Sequence, residues 1–405
     1  MKLLHLNLCA VGDGTVPEGG RESMMIEWGR LRVLATTAVS ALMLAPVLIG
    51  SAAGDPAADP HQLVRGLVHP ALSQQQLAGQ RIIYSYSGLT PPQDLINRIE
   101  AGEAAGVIFF GDNISSESQI GSVITELRRA NDQSPVRAPL LLMTDQEGGQ
   151  VRRLPGAPTM SEKQIGESSD GTTLAAQAGT GAGQNLAGVG MNVNLAPVLD
   201  VYRTAGDFDD QYQRSYSQNP TTVANLGKAF VTAQQATGVA ATVKHFPGLG
   251  AATASQNTDA EPVTLNVSLS NLRSIDEAPY PAAISAGVRL VMVSWAVYPA
   301  LDASHPAGLS SAVVQGELRN RLGFQGVTVT DALEAGALRN FGNEGQRGVS
   351  AALAGMDLML CADGSPTQGD DVASALASAL GSGQLSQSTF QAAVNRITAL
   401  RSSLH

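Results

Sequence analysis

The chain has 405 residues, 43% of them hydrophobic and 15% charged, enough apolar material for one large core, and α/β barrels of this length form single domains. A formal net charge of −10 without any run of Lys or Arg excludes the basic face of a nucleic-acid binder. Aromatic residues at 4% leave little for a wide sugar-stacking platform.

Residues 1–23 carry no pattern, and Met24 and Met25 offer alternative starts. Arg30 and Arg32 then precede an apolar run from Val33 to Gly50, followed by Ser51, Ala52 and Ala53. A charged segment, an apolar core and a small-residue exit have the form of a secretory signal peptide. Residues 1–53 are therefore read as a leader, with the mature chain starting near residues 52–56 and the product secreted or held at the cell envelope. The apolar run is also long enough for an uncleaved membrane anchor. No cysteine lies at the exit to accept a lipid, and Cys9 falls inside the leader, so Cys361 is the single mature thiol and is expected to be buried. Residues 54–74 read as a linker and N-terminal segment, and residues 75–405 as the folded domain.

From residue 75 onward one rhythm repeats: a short β-rich run, a polar turn, an amphipathic stretch. The β-rich runs are 81–87, 106–110, 139–145, 192–200, 239–245, 289–295, 326–331 and 354–361. Several are almost wholly apolar, as strands covered on both faces should be. The intervening segments 221–238 and 310–323 space their apolar residues by three and four and reach a glycine at the end, a helix with its stop signal. Residues 372–405 read as one or two closing helices. Eight strand–helix repeats predict an α/β fold closed as a single-domain (β/α)8 barrel. The lack of a G-x-G-x-x-G after the first run argues against a dinucleotide-binding sheet.

Barrels of this kind build their sites at the C-terminal ends of the strands, and here those ends are polar: Asp145 and Glu147, Asp200, Lys244 and His245, Ser294 and Trp295, and Asp331. Polar groups at the ends of buried apolar runs are costly unless they line a solvated site. Asp331, directly after Val327–Thr330, could attack an anomeric carbon; it could equally cap a helix over 332–338. Asp145 and Arg153 flank a Gly148–Gly149 turn and can hold sugar hydroxyls, or form a solvated ion pair. Lys244 and His245 offer two donors at one strand end. Lys244 alone would also suit a Schiff-base lyase, and His245 alone a satisfied buried imidazole.

The segments DQEGGQVRRL (145–154), NLAPVLDV (194–201), QRSYSQNP (213–220), KHFPGLG (244–250) and TDAL (330–333) resemble glycoside hydrolase family 3, within it most closely the single-barrel β-N-acetylglucosaminidases of peptidoglycan turnover. The resemblance covers roughly residues 75–365. It implies a retaining glycosidase without cofactor or metal whose partner is a carbohydrate substrate, an amino-sugar glycan of cell-wall or chitin origin. Asp331 matches the nucleophile; Asp145, Arg153, Arg214, Lys244 and His245 match the residues that hold the outermost sugar. In that branch KHFPGHG leads into a mobile loop ending in Asp-Ser-His, whose histidine is the general acid and base. Here Leu249 replaces one histidine, and the loop continues to Asn257-Thr258-Asp259 with none. The acid role then falls to Asp259 or Glu261, which otherwise read as solvated loop carboxylates. Three functions follow: an exo-acting β-N-acetylhexosaminidase, another family 3 activity such as a β-glucosidase or a phosphorolytic acetylglucosaminidase, or a catalytically weak glycan-binding barrel.

Overall fold

The computed structural model describes residues 72–404; the leader and the linker up to residue 71 lie outside the described residues. Eight parallel strands close a barrel: β1 (Ile82–Tyr84), β2 (Gly106–Ile108), β3 (Leu141–Thr144), β4 (Val193–Asn194), β5 (Ala240–Phe246), β6 (Leu290–Val293), β7 (Val327–Ala332) and β8 (Leu358–Leu360). Each falls within, or within one residue of, a predicted run. Closure is direct: β1 pairs with β8 through Ile82 opposite Met359 and Ile83 opposite Leu360. Helices follow the strands around the outside, including Glu117–Gln133, Gly171–Val189, Pro220–Gln235 and Glu344–Ala354, and the chain closes with Pro366–Gly381 and Gln387–Ser402.

The apolar runs are explained by burial on both faces. Ile83, Leu141, Met143, Val193, Leu290, Val329 and Leu358 fill the barrel interior, while Ile82, Val107, Leu142, Val243, Val291 and Met359 meet the helices. Burying both faces removes the polar/apolar alternation a half-exposed strand would show. Cys361 is buried and free.

Two predicted elements come out differently. The fourth strand ends at Asn194, well short of Asp200. The Asn194 side chain accepts from Gln146 N–H at 2.9 Å and donates to Gln146 C=O and Gln234, and Pro197 then has no N–H for the ladder. Beyond Asn194, Ala196 C=O still accepts from Thr242 N–H at 3.1 Å, and Val198 forms an isolated bridge opposite Lys244. The segment read as a regular helix over 310–323 winds instead with a wider π pitch from Ala312 to Arg321, placing Glu317 against Arg273 and Arg319 against Asp357.

The two ends of the barrel differ in kind. At the N-terminal ends of the strands Asp357 receives Arg319 at 2.6 Å, Arg396 at 2.7 Å and Thr328 N–H at 2.9 Å. Arg81 there donates to the carbonyls of Met356 and Asp357, although the buried Nε of Arg319 has no partner among the described residues. The opposite end carries Asp145, Lys244, His245 and Asp331.

Candidate active site

Strand β3 runs into a tight antiparallel turn, Gln146–Gly148 against Val151–Arg152. Gly148 and Gly149 have φ of 117° and 54°, left-handed values that favour glycine. This turn sets Asp145 at the rim and sends Glu147 inward, where it is 1% exposed. From β5, Lys244 reaches both carboxylates at 2.7 Å. Arg214 grips Glu147 with two bonds of 2.8 and 2.9 Å and Asp209 with a third of 3.1 Å. Burial alone would raise the Glu147 carboxyl, but Arg214 and Lys244 outweigh it and hold it at about 2. Burial would likewise lower the Lys244 amine, and Asp145 and Glu147 turn the balance so that it lies above its usual value. A lysine clamped as a cation between two carboxylates has no lone pair for Schiff-base attack, so this geometry favours the binding role over the lyase.

His245 is held by a second network. Its Nδ1 lies 2.6 Å from Asp200 Oδ2, and Asp200 Oδ1 accepts from the N–H groups of His245 and Leu249 at 3.3 and 2.5 Å. Burial disfavours the imidazolium, but the Asp200 charge raises the imidazole above its ordinary value. Asp209, on the short helix Phe208–Gln211, is pushed to about 7, by burial first and then by the charge of Asp200. Asp200, Asp209 and His245 bring donor atoms within 4.8 Å of one another, a spacing that could hold a cation, although Arg214 already occupies Asp209. Arg153 is tied to the rim by its N–H, which donates to Asp145 C=O at 3.3 Å. Its buried Nε has no partner among the described residues.

Asp331 sits half-buried on β7, one residue before the strand ends, and Ala332 N–H donates to its Oδ1 at 2.8 Å. No helix begins there. The next helical turn, Gly336–Leu338, starts from Ala335, so Asp331 is not the cap of 332–338.

The loop after β5 folds back over this end. Leu249 N–H is fixed on Asp200 and Ala252 C=O receives Phe208 N–H at 2.9 Å. The loop then turns at 257–260, where Gly336 N–H donates to Asp259 C=O at 2.8 Å and Ala337 N–H to Thr258 C=O at 2.9 Å. Asp259 thereby comes down beside the segment that follows Asp331. Asp259 is exposed, as Glu261 is, yet protein groups crowd around its carboxyl. That crowding, followed by the negative charge of Asp331, raises its carboxyl to about 6, and Arg214, His245 and Asp145 also act on it through their charge. Asp259 therefore shares one centre with Asp331 and with three of the five sugar-binding candidates, Asp145, Arg214 and His245. Glu261 lies exposed farther along the loop.

Glu147, Asp200 and Asp209 complete the site without having been assigned roles. Glu147 and Asp200 carried a signal, since both stand at strand ends. Asp209 had only its place shortly before Arg214 in an acidic stretch, FDDQ, that also suits a solvated loop.

Residues 73–400 match the family model described as glycosyl hydrolase family 3 N terminal domain. An uncharacterized secreted glycosyl hydrolase of Arthroderma benhamiae is 47% identical over 329 residues, covering 81% of this chain and 93% of the relative. A β-N-acetylhexosaminidase from Beutenbergia cavernae superposes with a TM-score of 0.75 at 31% identity, over 82% of this chain and 98% of that one. A family 3 β-N-acetylglucosaminidase from a Paenibacillus species gives a TM-score of 0.77 at 34% identity over 82% of this chain. The chain spans only 63% of that last relative's length.

Proposed function

The chain belongs to glycoside hydrolase family 3, and on that premise we propose that it is an exo-acting retaining β-N-acetylhexosaminidase with Asp331 as nucleophile and Asp259 as general acid and base. Asp145, Arg153, Arg214, Lys244 and His245 hold the terminal sugar. The Asp331 carboxylate attacks the anomeric carbon as the bond to the leaving oxygen breaks, and Asp259 gives that oxygen its proton. Water then attacks the same carbon, Asp259 takes up the water's proton, and the ester to Asp331 breaks, restoring both carboxyls. The charged groups around the sugar are locked by one another, so they bind and orient while the two aspartates move bonds.

The observation that carries this reading is the placement of Asp259: backbone bonds dock its loop on the segment that follows Asp331, where burial and then the charge of Asp331 push its carboxyl up to about 6. It supplies the acid that the missing loop histidine leaves vacant, and it favours an enzyme over a barrel that only binds glycan. The amino-sugar specificity rests on the activities named for the structural relatives. Asp331→Ala should stay folded and lose several orders of magnitude in turnover of aryl β-N-acetylglucosaminides; near-normal turnover would remove it as nucleophile. Asp259→Asn should slow natural disaccharides far more than nitrophenyl glycosides, while Glu261→Gln should leave both unchanged. A panel of aryl β-glycosides, with and without phosphate, separates this activity from a β-glucosidase or a phosphorolytic enzyme.

Residues 1–53 are read as an export signal, in line with a relative named as secreted. Sequencing the N-terminus of protein from the culture medium should find it near residues 52–56; an intact 33–50 segment in the membrane fraction would mean an anchor instead.

A further inference from the structure

We infer that Gly336 is a positioning residue for the acid: its lack of a Cβ lets the turn carrying Asp259 lie directly on the segment that follows Asp331. Nucleophile and acid are then held by one backbone unit and need no loop closure to meet. The inference rests on the reading of Asp259 as the acid.

Gly336 does not adopt a left-handed conformation, so its backbone would accept any residue; what it lacks is room. A Cβ built there lies 2.2 Å from the carbonyl oxygen of Ala260, 2.4 Å from its carbonyl carbon and 3.0 Å from the Asp259 oxygen. All three are main-chain atoms, and the turn they belong to is already bonded internally. Ala260 and Glu261 N–H groups donate to Asn257 C=O at 3.1 and 3.0 Å, and Asp259 N–H donates to Asn257 Oδ1 at 2.8 Å. A side chain at 336 must therefore push the turn away as a block.

The two flanks of the loop cannot share that displacement. On one side Leu249 and Ala252 are fixed to Asp200 and Phe208; on the other, Val263 C=O receives Val297 N–H at 2.8 Å. The shift is concentrated at 257–260, where the acid sits. The two bonds from Gly336 and Ala337 are made to carbonyls, so they hold the main chain of Asp259 and leave its carboxyl free to exchange a proton. A misplacement of about 1 Å is enough to cost ~10²-fold in a positioned reaction.

The test compares Gly336→Ala and Asp259→Ala with the unaltered full chain, using the 2,4-dinitrophenyl and methyl β-glycosides of one sugar. Labelling of Asp331 by the matching 5-fluoro glycosyl fluoride, read by intact mass, reports a folded nucleophile because fluoride departs without an acid. Gly336→Ala should label normally and cleave the methyl glycoside ~10²-fold more slowly, the usual scale for a lost general acid. Sodium azide should then restore its turnover of the dinitrophenyl glycoside and give the β-glycosyl azide, because azide needs no general base. A merely structural defect would slow both substrates alike and show no azide product. Wild-type cleavage of the methyl glycoside, or equal loss on both substrates without azide rescue, overturns the inference. If Asp259→Ala shows the azide signature and Gly336→Ala does not, the positioning role alone fails; if Asp259→Ala cleaves the methyl glycoside normally, the acid assignment itself fails. Amide exchange on the unaltered protein decides the case in which Gly336→Ala does not fold: the Gly336 and Ala337 amides should be protected, and exchange at free-loop rates would overturn the inference.

Discussion

Single carboxyls at the mouth of the barrel divide by what surrounds them, and on the proposed mechanism that division separates reacting from holding groups. Asp259 is raised to about 6 by its crowded surroundings and by Asp331, so it is an acid below that pH and a carboxylate above it. kcat/KM for substrates with poor leaving groups should therefore fall about tenfold per pH unit above 6, and a profile flat to pH 8 would contradict the assignment. Removing the neighbouring charge with Asp331→Asn should move the Asp259 titration down toward the ordinary carboxylate range, as followed by carbon NMR of labelled aspartate. Glu147 behaves in the opposite sense. Its folded pKa of about 2 lies below the unfolded value near 4.5, so its stabilisation is present above pH 4.5 and is lost as pH falls toward 2. Glu147→Gln leaves Arg214 and Lys244 short of a buried partner and should cost about 3 kcal/mol at neutral pH. In urea titrations the variant should also lose part of its pH dependence between 4.5 and 2.

At the scale of elements, helix packing depends on where glycine is used. In the helix Gly171–Val189 a Cβ at Gly179 would lie 2.3 Å from the carbonyl oxygen of Phe230 on the helix Pro220–Gln235, whereas one at Gly188 meets nothing within 4 Å. Gly179→Ala must separate two backbones and should destabilise by about 1–3 kcal/mol. Gly188→Ala only stiffens an exposed turn and should stabilise by about 0.5–1 kcal/mol. Opposite shifts in urea midpoint are expected, and shifts of the same sign would contradict the packing argument. The strand β7 shows the same dependence on neighbours: Trp295, fully buried, donates its Nε1–H to Ala332 C=O at 2.8 Å, fixing the strand end just past Asp331.

For the whole molecule, the two ends of the barrel have separate jobs, as is general for this architecture. The Asp357 cluster ties β7, β8, the π-wound segment and the last helix together at the end remote from the site. Asp357→Asn should therefore lower stability by about 3 kcal/mol and leave kcat/KM of the folded fraction unchanged, the reverse of what is expected for Asp331→Ala. A thermal melt paired with steady-state kinetics checks both, and a large loss of kcat/KM in the Asp357 variant would refute the separation.

What the sequence determined by itself were the features with a local cause. Eight both-faces-buried strands need apolar runs, and polar residues placed where those runs end, such as Asp145, Lys244, His245 and Asp331, are visible as interruptions of hydrophobicity. The motifs around them carried the family. The tertiary structure alone decided the partnerships. That Glu147 pairs with both Lys244 and Arg214, that Asp200 holds His245, and that Asp209 joins them depends on strands and loops far apart in the chain. The surroundings of Asp259 and Glu261 are of this kind: two nearby carboxylates on one polar loop look alike in sequence. They differ in the backbone bonds that Gly336 and Ala337 make to the carbonyls of Asp259 and Thr258, which dock the first on the segment that follows Asp331.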